Sequence, residues 1–275
     1  MNAAPPSGLS CDALSVSVPG RNLIDTLTFG IRPGEFLAVL GPNGVGKSLF
    51  LHTLSGIRAT QAGTVKLDGD PIAAIQRQRL ASRLALLPQH TEDIFPETVF
   101  DTVMIGRHPH IGRIRWESNE DREIALDALR QVDLDGLVSR DVNTLSGGER
   151  RRLAVAQVLT QSPEIYLLDE PTNHLDPQHQ LDVLEIFSRK TQQGNTVIAS
   201  LHDVNLAARY ADRCLLLYGD GRWDIGEASE ILDGARLTEL YATNMDTVAW
   251  RDMNLFVAAG NSSSAGERAE KAGLN

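Results

Sequence analysis

The sequence has only two cysteines, Cys11 and Cys214, among its 275 residues. They show no pairing pattern, which is typical of a reducing cytosol and argues against a disulfide-held secreted domain. The sequence also lacks an uninterrupted apolar run of about 18 residues, the length that a membrane-spanning helix needs. Residues 1–10 lack the basic and apolar segments of a signal peptide, so we expect a chain that stays in the cytoplasm.

Positive charge is also scarce. The chain carries 26 Lys and Arg residues against 36 Asp and Glu residues, a formal net charge of −10. This balance argues against broad electrostatic binding to DNA or RNA, so we expect no nucleic-acid partner. The length suffices to bury a large core as one domain with a subdomain.

One glycine-rich segment carries a clear chemical signal. It follows an apolar run at 36–40 that is typical of a strand buried on both faces, and it leads into a predicted helix at 48–54. The phosphate-binding pattern G-x-x-x-x-G-K-[ST] is matched by Gly41, Pro42, Asn43, Gly44, Val45, Gly46, Lys47 and Ser48. Glycines let backbone N–H groups approach phosphate oxygens, and the helix N-terminus adds a positive dipole. We expect Lys47 to contact the β- and γ-phosphates and Ser48 to ligate Mg²⁺.

A second apolar run, 165–168, ends in the two carboxylates Asp169 and Glu170. A hard cation beside a triphosphate needs an oxygen ligand at a strand end, which suits Asp169. The adjacent Glu170 is then free to polarise a water for attack on the γ-phosphate. The alternative is a solvated acidic pair at the turn before Pro171, and the nearby phosphate loop makes it the less favoured interpretation.

A third segment begins another helix at an anion-friendly position. Ser146, Gly147 and Gly148 precede an Arg-rich helix that starts at Glu149. Two anion sites on one fold invite a head-to-tail dimer in which each copy completes the site of the other, but that geometry is implied only by the family resemblance described next. By themselves Gln89 and His202 are uninformative, because a histidine at a strand end is more often structural than catalytic.

The motifs occur in an order that resembles the ATP-binding subunit of ABC transporters, over roughly residues 10–225. They are G-x-x-x-x-G-K-S, Gln89, L-S-G-G-E, L-L-D-E-P, N-H-L-D and His202. The resemblance implies ATP and Mg²⁺ as cofactors, with Mg²⁺ at Ser48, Gln89 and Asp169. It also implies that Gln89 senses a membrane partner, that the signature residues 146–149 bind nucleotide held by a second copy, that Asp176 lies at the dimer seam, and that Glu170 and His202 are catalytic.

The expected fold is α/β, a P-loop NTPase (RecA-like) core with a mainly parallel sheet. Strand patterns between 12 and 32 predict an antiparallel β subdomain, and amphipathic stretches at 98–105 and 119–132 predict an inserted α-helical subdomain at about 90–160. The ATPase domain is expected over 10–250. Residues 261–275 are rich in Ser, Gly, Ala and charge, which predicts a disordered tail.

The chain departs from the family pattern near the base and the α-phosphate. Leu49 replaces the usual Thr after Ser48, so one hydroxyl contact is missing. No aromatic residue stands between Leu14 and Leu23 to stack on adenine; either Arg21 or Pro19 would have to take that role. We therefore expect only modest discrimination of ATP over GTP.

Two further stretches resemble the importer branch of the family, which serves iron-siderophores, haem and cobalamin. They are Gly106–His110, with the pattern G-R-x-P-H, and the E-P-T-N-H-L-D segment 170–176. This branch implies transmembrane permease subunits, a periplasmic or surface substrate-binding protein, and a peripheral position on the cytoplasmic face of the inner membrane. The cluster Arg113, Arg115 and Trp116 would lie near the coupling surface, unless it is an ordinary exposed basic loop. The pair His108 and His110 could suggest a metal site, but the intervening Pro109 and the absence of a third ligand argue against it.

Two other functions compete with transport. A non-transport ABC ATPase acting on ribosomes or DNA usually has two ATPase domains or long coiled-coil or basic insertions, and this acidic sequence shows no heptad run. A P-loop kinase or GTPase is disfavoured by L-S-G-G-E and by the carboxylate pair at the strand end.

Overall fold

The computed structural model describes residues 8–89, 97–111, 116–251 and 253–259. The predicted tail 261–275, together with Arg113 and Arg115, lies outside the described residues. The strands are β1 (Leu9–Val18), β2 (Arg21–Gly30), β3 (Phe36–Leu40), β4 (Ala62–Leu67), β5 (Asp70–Pro71), β6 (Leu84–Leu87), β7 (Ile165–Asp169), β8 (Thr196–Ser200), β9 (Arg213–Leu217), β10 (Trp223–Glu227), β11 (Met245–Trp250) and β12 (Met253–Ala258). The α-helices are α1 (Lys47–Leu54), α2 (Arg77–Ala81), α3 (Val99–Met104), α4 (Asn119–Gln131), α5 (Gly147–Gln161), α6 (Pro177–Gln192), α7 (Val204–Tyr210), α8 (Ala228–Ile231) and α9 (Gly234–Tyr241).

A six-stranded sheet forms the centre, in the order β10-β9-β3-β8-β7-β6. Strands β9, β3, β8, β7 and β6 are parallel, and β10 pairs antiparallel at the edge. Strands β3, β7 and β8 are buried along their whole length, as expected for a parallel sheet covered on both faces. The mainly parallel core that the sequence predicted is confirmed, and the carboxyl ends of its strands meet at one edge.

Alternation along β3 divides the hydrophobic core into two layers. Phe36, Ala38 and Leu40 face one cluster, while Leu37 and Val39 face the other, because successive side chains of a strand point to opposite sides. The second layer includes α1 and the antiparallel sheet β2-β1-β4-β5, whose inner residues pack against Phe50. This sheet is the predicted antiparallel β subdomain.

The inserted helical subdomain is also confirmed. Helices α3, α4 and α5 stand between β6 and β7 in the chain, and their apolar faces share one cluster with the sheet. Helix α5 is long enough to belong to both parts, since Val155 and Leu159 pack in that cluster while its N-terminus approaches the ends of β6 and β7. Within the described ranges, no helix has the length and apolar character needed to cross a membrane.

The C-terminal part contains elements that the sequence patterns did not predict. Strand β10, the short helices α8 and α9 and the hairpin of β11 and β12 follow the last predicted strand. The hairpin is joined to α7 through Asn205, whose side chain bonds both the N–H and the carbonyl of Phe256. Strand β10 extends the sheet beyond β9, and residues of α8, α9 and β12 pack in the same apolar cluster as α7 and β9.

Candidate nucleotide site

The glycine-rich loop turns sharply between β3 and α1. Gly41, Gly44 and Gly46 have φ values of 150°, 78° and 105°, a region that other residues rarely adopt. A Cβ on Gly41 would stand 2.4 Å from the carbonyl oxygen of Leu217, so β9 passes too close for any side chain. The loop is therefore specified both by its backbone angles and by its packing.

Lys47 lies inside this loop and is only 5% exposed. Its Nζ donates to the carbonyl oxygens of Gly41 at 2.7 Å and Pro42 at 3.2 Å. Burial lowers the pKa of Lys47, while the charges of Glu170 and Asp169 oppose that effect. The ammonium group is thus held at the loop mouth, where it is available to an anion.

A cavity of about 300 Å³ opens beside the loop. It brings together residues from the loop and α1, from β1 and β2, and from the segments that follow β6 and β7, which the sequence places far apart. Its lining comprises Val18, Leu23, Asn43, Gly44, Gly46, Lys47, Ser48, Leu49, Gln89 and Glu170. Of the predicted loop residues, Gly41, Pro42 and Val45 shape the loop without lining this cavity.

Asp169 ends β7 and is completely buried. Its Oδ1 accepts a hydrogen bond of 2.7 Å from the hydroxyl of Ser200, the paired residue on β8, while its Oδ2 is buried without a hydrogen-bond partner. A buried carboxylate oxygen without a partner is costly unless a cation or water satisfies it. Asp169 therefore fits the predicted magnesium site, together with the Ser48 hydroxyl. The described residues contain no cluster of three or more His, Cys, Asp or Glu that could hold a metal by itself.

The Glu170 carboxylate is the point at which several predicted residues meet. Its Oε2 accepts from Gln89 Nε2 at 2.7 Å and from Asn173 Nδ2, and its Oε1 lies 2.6 Å from His202 Nε2. The Glu170 backbone is left-handed, with φ of 50°, and its N–H donates to Ser200 Oγ at 2.8 Å. Strained backbone of this kind persists only where the surroundings hold it. The structure thus joins Gln89, Glu170 and His202, and it adds Asn173 and Ser200.

Arg151 is a further residue of this region that the sequence patterns did not single out. It lies in α5, is 6% exposed, and donates to backbone carbonyls at the ends of β6 and β7. Burial lowers its pKa to about 10, against the opposing charges of Asp169 and Glu170. Its position within an Arg-rich run concealed it, because a run of arginines reads as an exposed basic face.

The signature residues lie in a separate cavity of about 290 Å³. Ser146 and Glu149 form a capping box at the start of α5, in which Glu149 Oε2 accepts from Ser146 N–H at 2.7 Å. That hydrogen bond lowers the pKa of Glu149. Asp176 caps α6 and also bonds the ring of His179 at 2.8 Å. The lining of the signature cavity is Ser146, Gly148, Glu149, Arg152, His174, Leu175, Asp176 and His179, none of which lines the first cavity.

The cavity wall formed by Val18 and Leu23 contains neither of the two residues that the sequence suggested for contact with the base. Arg21 is held away, since its Nε donates to the Gly219 carbonyl at 2.9 Å, and Pro19 is exposed. Neither residue lines the nucleotide cavity, whereas Val18 and Leu23 do. This wall of the cavity is therefore aliphatic, in a part of the chain where the family pattern has an aromatic residue.

The G-R-x-P-H stretch forms internal contacts. Arg107 is buried, with its Nε 2.8 Å from Asp121 Oδ1 and its Nη1 3.0 Å from the Thr160 carbonyl oxygen. His110 Nε2 lies 2.7 Å from the carbonyl oxygen of Gln161, which explains this histidine without a metal. The stretch thus joins α4 to the C-terminal end of α5. Nearby, Trp116 is 95% exposed.

Comparison with known proteins agrees with this geometry. The family model described as ABC transporter matches residues 24–173, more than half of the chain. The chain belongs to the ABC transporter family. As an ABC protein with an ATP site, it is an ATP hydrolase coupled to transmembrane transport, and the α/β P-loop fold predicted from the sequence is confirmed.

Several relatives within the ABC family are ATP-binding proteins of import systems. A hemin import ATP-binding protein of Rhodopseudomonas palustris is 43% identical over 220 residues, covering 77% of this chain and 80% of the relative. One from Deinococcus radiodurans is 45% identical over 222 residues, covering 79% and 83%. Among solved structures, an inward-facing ABC transporter assigned to the metal-chelate type matches with a TM-score of 0.80 and 29% identity, covering 93% of this chain and 98% of that one.

Proposed function

We propose that this chain is the ATP-hydrolysing subunit of an ABC importer for a haem, iron-siderophore or cobalamin type substrate. The observation that carries the proposal is the meeting of Lys47, Ser48, Glu170 and Gln89 in one cavity at one edge of the sheet. The hemin import relatives and the metal-chelate type structure support the direction and the substrate class. Haem is the substrate that these two relatives favour.

The proposed chemistry divides among residues already described. Backbone N–H groups of residues 41–48 and the Lys47 ammonium hold the phosphates, where the cation–anion attraction is strong because Lys47 is buried. Ser48 and Asp169 would hold Mg²⁺, with Gln89 adjacent. Mg²⁺ would neutralise charge on the transferring phosphate.

Glu170 is the proposed general base that orients and deprotonates the attacking water. Its two oxygens are shared with Gln89, Asn173 and His202, so those donors fix the direction of the carboxylate. His202 is the proposed second catalytic residue, because a ring that contacts Glu170 also stands at the end of β8 beside the phosphate loop.

The signature residues are proposed to serve the nucleotide of a second copy. Ser146, Gly147, Gly148 and Glu149 lie at the N-terminus of α5, which favours an anion. Ser146, Gly148 and Glu149 line a cavity separate from the phosphate loop. A head-to-tail dimer would bring the two together, with Asp176 at the seam. The dimer is the stoichiometry that two complementary half-sites on one chain require.

The remaining partners follow from the transport function. Permease subunits are proposed to dock on the helical subdomain, where Trp116 is exposed, and a periplasmic or surface protein is proposed to deliver the substrate. The chain would then sit peripherally on the cytoplasmic face of the inner membrane. We propose the ATPase domain at 10–250, with the helical subdomain inserted at about 90–160.

Capture with Glu170→Gln tests this proposal. The variant should bind Mg-ATP and hydrolyse it far more slowly, because the amide cannot accept the proton of water. Tagged Glu170→Gln protein with Mg-ATP is captured from gently solubilised native membranes, with Lys47→Ala as the matched control that should bind nucleotide poorly.

Equal amounts of a polytopic membrane protein and this chain, retained with Glu170→Gln, would support the transporter subunit. A substrate-binding protein that binds haem would then support the substrate class. Recovery of only ribosomal or DNA-associated proteins would contradict transport and favour the non-transport ATPase. Sustained hydrolysis by Glu170→Gln would remove Glu170 from its proposed role.

A further inference from the structure

Arg151 makes an unusual set of contacts for a buried arginine. Its guanidinium donates to five backbone carbonyl oxygens, at 2.5 Å for Asp169, 2.6 Å for Pro88, 2.8 Å for Glu170, and 3.4 Å for Gln89 and Pro171. These carbonyls belong to two segments, the residues that follow β6 and the residues that end and follow β7. One side chain from α5 therefore binds the exits of two neighbouring strands.

The type of side chain matters for this arrangement. A guanidinium presents five N–H donors in a rigid planar fork, whereas a lysine is a single point of charge and a glutamine amide offers two donors. Buried carbonyl groups that lose their donors destabilise the fold when they are left unsatisfied. Neither Lys nor Gln can satisfy all five carbonyls at once.

Arg151 also completes the restraints on the strained residue Glu170. The Glu170 N–H is held by Ser200 Oγ, its carbonyl by Arg151, and its carboxylate by Gln89, Asn173 and His202. With φ of 50°, this residue needs such support from every side. Removal of Arg151 frees the peptide that follows Glu170 and lets the carboxylate change direction.

The helix that carries Arg151 reaches the other parts of the machinery. At the N-terminus of α5, Ser146 of the signature segment caps the helix. Further along α5, Val155 and Leu159 pack with the helical subdomain. A rigid α5 cannot rotate with that subdomain without pulling on the carbonyls after β6 and β7. The segment after β6 includes Gln89, whose amide already contacts Glu170.

We propose that Arg151 is a positioning residue that fixes the Glu170 peptide and joins the helical subdomain to the catalytic strand ends. The expected effect of Arg151 on turnover rests on the proposed function of Glu170. The mechanical link between α5 and the strand ends does not depend on that function. Rotation of α5 would be transmitted through the guanidinium to the water-activating carboxylate.

Steady-state kinetics of the full-length chain test the proposal that Arg151 fixes the Glu170 peptide. Arg151→Gln should lower kcat roughly 10- to 100-fold, because small misplacements of a catalytic group have effects of that size. KM for ATP should stay within about twofold, since Arg151 does not contact residues 41–48. Arg151→Lys should recover part of kcat, and Arg189→Gln, an exposed arginine on α6, is the matched control.

A distance measurement tests the joint without turnover. Spin labels at Glu123→Cys on α4 and Glu185→Cys on α6 report the two subdomains, and the native Cys11 and Cys214 are buried. The label distance should be narrowly distributed in the parent and the Arg189→Gln control, and broad in Arg151→Gln. If Arg151→Gln does not fold, as judged by its thermal unfolding, Arg151→Lys replaces it in both measurements.

The outcomes separate the two proposals. The positioning role would be overturned if kcat were unchanged, or if kcat/KM fell only because KM rose. A lower kcat with an unchanged distance distribution would overturn the joint. Absence of ATP turnover in the unsubstituted chain would instead contradict the proposed function, while a broadened distance distribution in the variant would still support the joint.

Discussion

At the scale of single residues, the decisive chemistry depends on groups that flank the recognisable motifs. Ser200 is buried at the end of β8 and bonds both Asp169 and the Glu170 N–H, and Asn173 donates to the Glu170 carboxylate. Ser200 belongs to no motif, and Asn173 lies in the N-H-L-D motif, in which the sequence indicated a role only for Asp176. Their contacts arise because β7 and β8 are paired in register, with Asp169 opposite Ser200.

Val18 allows a prediction about the base. It lines the nucleotide cavity where no aromatic side chain is available, so Val18→Tyr should supply a stacking surface. Stacking of a base on an aromatic ring contributes about 1 kcal/mol, which corresponds to a roughly fivefold lower Kd for ATP. Titration calorimetry with ATP and GTP measures this change.

Pro19→Tyr is the matched control for this substitution, because Pro19 is the next residue but does not line the cavity. An unchanged Kd in Val18→Tyr, or an equal gain in Pro19→Tyr, would place the base elsewhere.

At the scale of elements, helices α4 and α5 of the helical subdomain are held together by a joint at Gly106 and Arg107. A Cβ on Gly106 would stand 2.4 Å from the carbonyl oxygen of Gln157 in α5, and Arg107 bonds Asp121 and Thr160. The G-R-x-P-H segment thus packs against α4 and α5, in addition to resembling the importer branch of the family. Two predictions concern this joint.

Gly106→Ala should destabilise the chain. Overpacking against the α5 backbone costs about 1–3 kcal/mol, because a backbone carbonyl cannot move aside as a flexible side chain can. The matched control is Gly136→Ala, where an added Cβ meets nothing within 4 Å and should leave stability almost unchanged. Urea unfolding of both variants measures the difference; equal midpoints would show that the contact relaxes.

Asp121 makes the joint sensitive to acid. Hydrogen bonds from the Ser118 hydroxyl and N–H, and then Arg107, lower the pKa of Asp121 to about 2. A folded-state pKa below the unfolded value stabilises the fold above about pH 4, and this contribution is lost as pH falls toward about 2. The Tm of Asp121→Asn should therefore be lower near neutrality and fall less between about pH 5 and about pH 3.

Asp127→Asn, an exposed carboxylate on the same helix, serves as the control for the acid series. Its Tm should follow the parent across the whole range. A parallel pH dependence in Asp121→Asn and the parent would mean that Asp121 does not contribute to the acid response.

At the scale of the whole molecule, the two cavities predict complementation between copies. A Lys47→Ala chain retains its signature cavity, and a Ser146→Arg chain retains its phosphate loop, so each should be inactive by itself. Random pairing of the two in a head-to-tail dimer leaves one intact site in each mixed dimer, and roughly a quarter of the parental ATPase activity should return. Steady-state ATPase assays of the separate and mixed variants measure it; no recovery on mixing would contradict the composite site.

Much of the architecture was predictable because the relevant signals are local. The apolar runs at 36–40 and 165–168 and the predicted helix at 48–54 coincide with β3, β7 and α1 to within a residue. The short helices α8 and α9 and the hairpin of β11 and β12 were missed. Strand β11 is mostly exposed and β12 buries mainly Phe256, so neither has a strong apolar pattern.

The sequence by itself determined the phosphate loop, the carboxylate pair and the alternation of strands and helices that builds the parallel sheet. Each of these features depends on residues close together in the chain, and the order of the motifs can be followed directly along it. The tertiary structure decided that Arg151 binds the exits of β6 and β7, that Val18 takes the place of Arg21 at the cavity, and that Arg107 is a buried joint. The contacts of Arg107 and Arg151 join residues 14 to 63 positions apart, and their partners are often backbone carbonyls. Every residue offers such a carbonyl, so no pattern of side chains marks the ones that are used.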